Sequence, residues 1–254
     1  MPSKDFGNAF HILIPARLNS TRLPRKALSD LAGRPMVLRT LDRALESGAT
    51  SVTVATDSTE IAAVVEAAGG EVVLTDAGHR SGTDRLAEAV GVLGLDDAAM
   101  VVNLQGDEPA MPAACLRQVA AMLAADQRAD MATLWQPVAD EEQWRDPNVV
   151  KLVADSAGRA LYFSRAPIPW PRAGNWPAAA ARRHVGLYAY RVSALRAWAG
   201  LPASALEALE SLEQLRALEA GWRIVVERAC APIPVGIDTP EDLARFRSSL
   251  SRQG

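Results

Sequence analysis

Between residues 17 and 26 the chain places Arg17, Arg22, Arg25 and Lys26, four cations in ten residues, in the run Pro15-Ala16-Arg17-Leu18-Asn19-Ser20-Thr21-Arg22-Leu23-Pro24-Arg25-Lys26. The chemistry such a loop suits is polyphosphate binding. One phosphate charge about 6 Å from one cation, at an effective dielectric of 20, gains roughly 3 kcal/mol. Several cations together would hold a triphosphate and offset charge that builds in a transition state. A solvated basic surface loop is the competing reading. Neither G-x-x-x-x-G-K-[ST] nor G-x-G-x-x-G occurs to compete for the phosphate role. The run Val101-Val102-Asn103-Leu104-Gln105-Gly106-Asp107-Glu108-Pro109 brings Gln105 and Asp107 to one rim. Asp107 is a hard oxygen donor of the kind Mg²⁺ takes, and Mg²⁺ needs only one or two carboxylates beside phosphate oxygens and waters. Asp238, just before Thr239, is the candidate partner. Both acids also fit blander roles, as a turn or a cap near a helix start.

A third polar stretch, His79-Arg80-Ser81-Gly82-Thr83-Asp84-Arg85, offers Ser81 and the Gly82 backbone to a base edge, or serves as a turn and helix cap. Glu207, Glu210, Glu213 and Gln214 fall in one sector of a Leu-rich helix, where a solvated face is the common meaning. His184 and Tyr188 lie at even spacing on a strand and so share its face, with a structural histidine as the alternative.

These residues need elements to position them. Apolar runs at Phe10 to Ile14, Val52 to Ala55, Val72 to Leu74 and Met100 to Leu104 read as buried, mostly parallel strands. Val37, Leu41, Ala44 and Leu45 after Pro35 repeat at helical spacing and stop at Gly48; Ile61, Val64, Val65 and Ala68 do so before Gly69-Gly70. Strand then helix, repeated to about residue 125, predicts a doubly wound α/β sheet whose ligands sit beyond the carboxyl ends of the strands. Strand-like runs at Met131 to Leu134, Val149 to Val153, Ala160 to Phe163 and His184 to Tyr190, with a tight turn at Asp155 to Gly158, predict a mixed-sheet extension. Pro167, Pro169, Pro171 and Pro177 mark a loop that is a lid, a substrate loop or part of an interface. Ser204 and Glu207 fit a capping box opening a helix that runs to about Gly221, and Thr239-Pro240-Glu241-Asp242 fits another for the last helix.

The 254 residues are 49% hydrophobic and 22% charged, which is globular usage and excludes a disordered chain. Lys plus Arg total 27 against 30 for Asp plus Glu, so the net charge of −3 offers no general attraction for nucleic acid or membrane lipid, and any anion site must be local. Cys115 and Cys230 are far apart in sequence and form no C-x-x-C. That argues against a disulfide framework or a zinc site and makes a reducing, cytoplasmic compartment the expectation. The N-terminus resembles neither a signal peptide nor a membrane span.

The motifs together resemble those of the 3-deoxy-D-manno-octulosonate (Kdo) cytidylyltransferases, the CMP-Kdo synthetases, over nearly the whole chain. The resemblance rests on Ile14-Pro15-Ala16-Arg17, Ser20 to Pro24, His79 to Arg85, Gln105 to Pro109, Leu161-Tyr162-Phe163-Ser164-Arg165-Ala166, Ile168-Pro169-Trp170, Leu212-Glu213-Gln214-Leu215-Arg216 and Asp238 to Leu243. Sialic-acid cytidylyltransferases share the opening Ile-Pro-Ala-Arg but resemble Ser-Lys where this chain has Thr21-Arg22, and sugar-1-phosphate nucleotidylyltransferases usually show a Gly-rich loop there.

The resemblance implies a Rossmann-like nucleotidyltransferase fold over residues 1–254, a mostly parallel mixed sheet with a small mixed-sheet extension near 130–200 that serves sugar binding and dimerisation. It implies transfer of CMP from CTP to the anomeric hydroxyl of Kdo with release of pyrophosphate, for lipopolysaccharide assembly, by a Mg²⁺-dependent enzyme that is usually a homodimer. Arg17, Arg22 and Lys26 would then hold the CTP phosphates, and Ser81, Gly82 and Gln105 would line the nucleotide and sugar pockets. Lys26, Arg17 and Asp107 would carry the chemistry, and Asp107 with Asp238 would bind Mg²⁺. Gln105, Arg165, His184, Tyr188, Glu213 and Gln214 would face Kdo. Arg25 departs from the family, which often has Gly there, and the extra cation bears either on the loop's path or on pyrophosphate. A cytidylyltransferase for another 2-keto sugar acid, such as sialate or an amino-Kdo, and a non-catalytic nucleotide-binding module are the alternatives.

Overall fold

A computed structural model describes residues 9–18, 23–79 and 81–250. In chain order the elements are β1 (His11–Ala16), a 3-10 turn (Lys26–Leu28), α1 (Met36–Leu45), β2 (Ser51–Thr56), α2 (Thr59–Ala67), β3 (Glu71–Leu74), α3 (Gly82–Val92), β4 (Met100–Asn103), α4 (Ala113–Ala125), β5 (Met131–Pro137), α5 (Glu141–Arg145), β6 (Lys151–Ala154), β7 (Ala160–Ser164), β8 (Arg182–Arg191), α6 (Val192–Trp198), α7 (Ala205–Glu210), α8 (Gln214–Glu219), β9 (Ile224–Arg228) and α9 (Pro240–Leu250). The sheet runs β3-β2-β1-β4-β8-β5-β9, with the β6-β7 hairpin joined to β8. Pairs among β3, β2, β1 and β4 are parallel, and β5 is parallel to β9. β8 is antiparallel to β4, β5 and β6. The fold is an open α/β sheet, mixed but mostly parallel.

Alternation along β1 explains why this run must be interior. Ile12 and Ile14 enter one core with Val37 and Leu41 of α1, Ile61 and Val65 of α2, and Leu116 and Val119 of α4. Leu13 faces the opposite core with Leu86 and Val90 of α3, Leu195 and Trp198 of α6, and Leu215 of α8. A strand buried on both faces reads as an unbroken apolar run, which is how β1, β2 and β4 announce themselves in sequence. Leu45, which falls within the helical spacing of α1, is 59% exposed.

The order β3-β2-β1 proceeds outward on one side of β1, and β4 returns to the other side. The crevice at the carboxyl ends of β1 and β4 is therefore a topological switch point, where open α/β sheets bind ligands. Beyond β4, a register shift in the β5–β8 pairing puts Gly186 and Leu187 in a bulge. Thr133 fills it, its hydroxyl lying 2.8 Å from the Leu187 carbonyl and 3.0 Å from that of Val185.

One expected element is corrected. The helix foreseen from Ser204 to Gly221 is broken into α7 and α8, with Ser211 in the left-handed region at φ 52°. Ser204 does cap α7, accepting from the Glu207 amide at 2.9 Å, but the reciprocal half of a capping box is absent, because both Glu207 carboxylate oxygens accept from Arg216. The break has a tertiary cause. Glu210 turns back to accept from Ser164 Oγ at 2.6 Å and from the Arg165 amide at 2.8 Å, while Leu212 and Leu215 drop into the core. The acidic sector is thus dispersed to separate partners. Thr239 and Asp242 do form the expected reciprocal cap, Asp242 accepting from the Asp238 and Thr239 amides at 3.0 and 2.9 Å and Thr239 Oγ1 from the Asp242 amide at 3.2 Å. The cysteines, 115 positions apart, meet with their Sγ atoms 3.8 Å apart. Among the described residues no helix is long and apolar enough to cross a membrane.

Candidate active site

A cleft of about 300 Å³ opens at the switch point, lined from β1 by Pro15 to Arg17, from beyond β4 by Gln105 to Asp107, and from the start of α3 by Ser81, Gly82 and Arg85. Lys26, Asp238, Glu213 and His79 complete its walls. Gly106 sits in close approach there, since a Cβ would lie 3.1 Å from the Pro15 carbonyl oxygen and would push the two backbones a few tenths of an ångström apart. The Gly106 carbonyl accepts from Thr40 Oγ1 of α1 at 3.0 Å, which fixes the turn that aims Asp107.

Lys26 Nζ donates to Asp107 Oδ2 at 2.5 Å and to Asp238 Oδ1 at 3.0 Å. Two acids 131 positions apart in sequence thus converge on one cation. The route is visible in the backbone: the Ile237 amide donates to the Asp107 carbonyl at 3.1 Å. A Cβ at Gly236 would come within 2.8 Å of Glu108 Oε1, so a side chain there would have to displace the Glu108 carboxyl. Burial opposes the charge on Lys26, but the Asp107 and Asp238 carboxylates outweigh it and raise the ammonium pKa above the ordinary lysine value. Half-buried Glu108 beside this pair has its carboxyl pushed up to about 8, first by burial and then by the Asp107 charge, with Arg183 pulling the other way.

The pair of aspartates fits a hard divalent cation. Two carboxylates already share one positive charge here, although among the described residues no group of three or more His, Cys, Asp and Glu assembles at this or any other place. Two protein carboxylates with the remaining positions open to phosphate and water is the donor set Mg²⁺ uses, rather than the all-protein cage Ca²⁺ prefers.

On the opposite wall Glu213 accepts from Thr83 Oγ1 at 2.8 Å, and burial, the largest influence, raises its carboxyl above the usual range. Ser81 caps α3 by accepting from the Asp84 amide at 3.1 Å, so its hydroxyl stands at the positive end of an eleven-residue helix. Arg85 is 4% exposed, donates to Thr75 Oγ1 at 2.5 Å and pairs with Asp57 at 3.2 Å, tying together the loops after β2 and β3.

Of the residues singled out in the sequence, Arg17, Lys26, Ser81, Gly82, Gln105, Asp107, Glu213 and Asp238 come together in this cleft. Arg22 lies outside the described residues. Arg165, His184, Tyr188 and Gln214 are not in the cleft lining. Arg165 donates to the carbonyls of Pro147 at 2.9 Å, Glu210 at 2.6 Å and Ser211 at 3.3 Å, and so braces the α7–α8 break. His184 and Tyr188 do share a face, their rings 5.3 Å apart in a column that continues to Phe163 and Tyr190 behind Glu213. Burial, then the Arg183 charge, pushes the His184 pKa down to about 3, so the imidazole is neutral. Gln214 is 6% exposed with its side-chain nitrogen unpaired. Arg25 stands in the left-handed region at φ 57°, ψ 31°, a conformation natural to Gly, and pairs outward with Glu60 of α2. Sequence reading missed Arg85, Thr83 and Glu108. Arg85 and Thr83 follow Gly82 at the start of α3, and Glu108 adjoins Asp107, but their partners come from distant segments.

A profile of the cytidylyltransferase family matches residues 11–224. The chain is 49% identical over 253 residues to a 3-deoxy-manno-octulosonate cytidylyltransferase of Cellvibrio japonicus (strain Ueda107), covering 95% of this chain and 98% of that one. It is 50% identical over 252 residues to the protein of the same name in Hahella chejuensis (strain KCTC 2396), covering 96% and 99%. Its fold is similar to that of a solved structure of CMP:2-keto-3-deoxy-manno-octonic acid synthetase complexed with CTP, with a TM-score of 0.90, 39% identity and coverage of 97% of this chain and 100% of that one. A cytidylyltransferase structure from Leptospira borgpetersenii serovar Hardjo-bovis (strain JB197) shares the fold at a TM-score of 0.61 and 18% identity, over 96% and 87% of the two chains.

Proposed function

The chain belongs to the 3-deoxy-manno-octulosonate cytidylyltransferase family, and on that premise we propose that its cleft joins CTP to Kdo. The anomeric oxygen of the sugar attacks the α-phosphorus in line, and pyrophosphate leaves. The observation that carries this reading is the convergence of Asp107 and Asp238 on Lys26 at the mouth of the switch-point cleft.

Asp107 and Asp238 would hold Mg²⁺, which when bound supplies Lewis-acid polarisation of phosphate oxygens and neutralises developing negative charge. The chain's own residues position the reactants. Arg17 at the exposed rim and Lys26 on the inner wall offer two separated cations to a polyphosphate, with Arg22 assigned to the same task. Lys26 is held protonated by its two aspartates, so it acts as a charge and not as a base. Ser81, the Gly82 amide and Gln105 face the nucleoside and the sugar from the floor. Glu213, steadied by Thr83, accepts a sugar hydroxyl. His184, Tyr188 and Gln214 are assigned to the sugar side behind Glu213, and Arg165 acts there through the α7–α8 break it braces. In-line transfer needs mainly positioning and electrostatic stabilisation, which this cleft offers without a covalent nucleophile.

A cytoplasmic, Mg²⁺-dependent homodimer belongs to the same proposal. Leu161 and Trp170 of the extension, 59% and 67% exposed, are the apolar side chains it offers to a second copy.

The test is pyrophosphate release and product mass with CTP, Mg²⁺ and, in parallel, Kdo, sialate and an amino-Kdo. CMP-Kdo formed at least about 10-fold faster than either alternative supports the assignment. A preference for another acid, or CTP binding without turnover, overturns it.

A further inference from the structure

The chain has two cysteines, and the fold puts them side by side. Cys115 is fully buried in the first turn of α4, while Cys230, just beyond β9, is exposed. Their sulfurs are 3.8 Å apart, and the contact does not depend on them. Gln118, one turn further along α4, accepts from the Cys230 amide at 2.8 Å and donates to the Arg228 carbonyl at 2.8 Å, clamping the segment after β9 to the helix. Position matters more than proximity. Asp107 lies eight residues before Cys115 and Asp238 eight residues after Cys230, so the two arms that deliver the paired acids spring from this junction.

We propose that Cys115 and Cys230 form a reactive dithiol that a low-molecular-weight disulfide converts to an intrachain disulfide, stapling the two arms that carry Asp107 and Asp238. The Cys230 thiolate attacks one sulfur of the small disulfide; a mixed disulfide forms, the reagent's S–S bond breaks and one thiolate leaves to take up a proton. The Cys115 thiolate, its proton released to solvent, then attacks the Cys230 sulfur, and the second small thiolate leaves. Two protein thiols are oxidised and one reagent disulfide is reduced to two thiols. The order of attack follows from exposure: burial, then the neighbouring Cys230, pushes the Cys115 thiol up to about 11, which disfavours it as the first nucleophile, and the Cys230 charge is gone once Cys230 is in the mixed disulfide. Neither sulfur lines the cleft, so the reduced protein does not need them for its basal reaction.

The full chain is incubated with hydroxyethyl disulfide and followed by intact mass, non-reducing peptide mapping and thermal unfolding. The wild type is expected to lose two hydrogen masses, to yield a peptide joining Cys115 to Cys230, and to unfold at a higher midpoint than the reduced form, because the cross-link restricts the unfolded chain. Cys115→Ala is expected to stop at a stable adduct on Cys230, and Cys230→Ser to stay unmodified. Wild type that keeps the adduct on Cys230, cross-links between two chains, or unfolds at the same or a lower midpoint when oxidised would overturn the proposal.

Discussion

Lys26 and its two aspartates form a cluster whose members depend on one another. An ammonium with carboxylates at 2.5 and 3.0 Å is a poor proton donor and a well-fixed charge, which is what a leaving pyrophosphate needs nearby. Lys26→Ala should therefore lower kcat by about 10²–10³-fold, read by pyrophosphate release, while far-ultraviolet circular dichroism is unchanged; a loss below about threefold would remove Lys26 from the chemistry. The residue before it behaves differently. Arg25 adopts a backbone conformation that costs an L-residue about 1–2 kcal/mol, and its side chain leaves the cleft for Glu60. Arg25→Gly relieves that cost and gives back about 0.5–1 kcal/mol of chain entropy, so the expected thermal midpoint is equal or higher and the activity unchanged. A drop in kcat would show that this cation reaches the nucleotide after all. A Gly at this position would adopt the same left-handed backbone without that steric cost.

Elements differ in how far they could be read in advance. β1, β2 and β4 were legible because two-sided burial leaves a continuous apolar run, and the basic and acidic loops were legible because they follow such strands. The α7–α8 break was not, since the left-handed residue is Ser211 and not Gly, and the contacts that impose it come from Ser164 and Arg165. Those contacts make a prediction. Glu210→Ala strands the Ser164 hydroxyl and the Arg165 amide and should cost about 1–3 kcal/mol in urea unfolding; a cost under about 0.5 kcal/mol would mean the break is intrinsic to the local sequence. The paired strands β5 and β8 make another. His184 packs against Phe163 and Tyr188 and, with the Thr133 proton directed to the Leu187 carbonyl, donates from Nε2 to Thr133 Oγ1 at 3.1 Å, which suits a neutral ring. Its folded pKa of about 3 lies below the ordinary 6.5. Above pH 6.5 the ring is neutral in both states and contributes no pH dependence; below it the unfolded chain binds the proton and the folded chain does not. Stability should thus fall by about 2 kcal/mol between pH 6.5 and 5 on this account, and His184→Gln should flatten that slope. An unchanged slope would place the acid sensitivity elsewhere.

At the scale of the molecule, the decisive feature is that strand order reverses at β1, so that loops from both halves of the chain meet over one crevice. Asp107 reaches it from β4, and Asp238 from the segment leading to α9. No local pattern joins those two acids, nor Cys115 to Cys230; each pair exists only because the segment after β9 runs back along α4 and the Asp107 loop. Arg85 and Glu108 were hidden for the same reason, their partners Asp57 and Arg183 being distant in sequence. The most direct test of the assembled site is a crystal structure with CTP and Mn²⁺ in place of Mg²⁺. An anomalous peak bridging Asp107, Asp238 and nucleotide phosphate oxygens, with the Lys26 ammonium turned to phosphate, is the expected result; Mn²⁺ bound away from both aspartates, with Lys26 still lying between them, would contradict it.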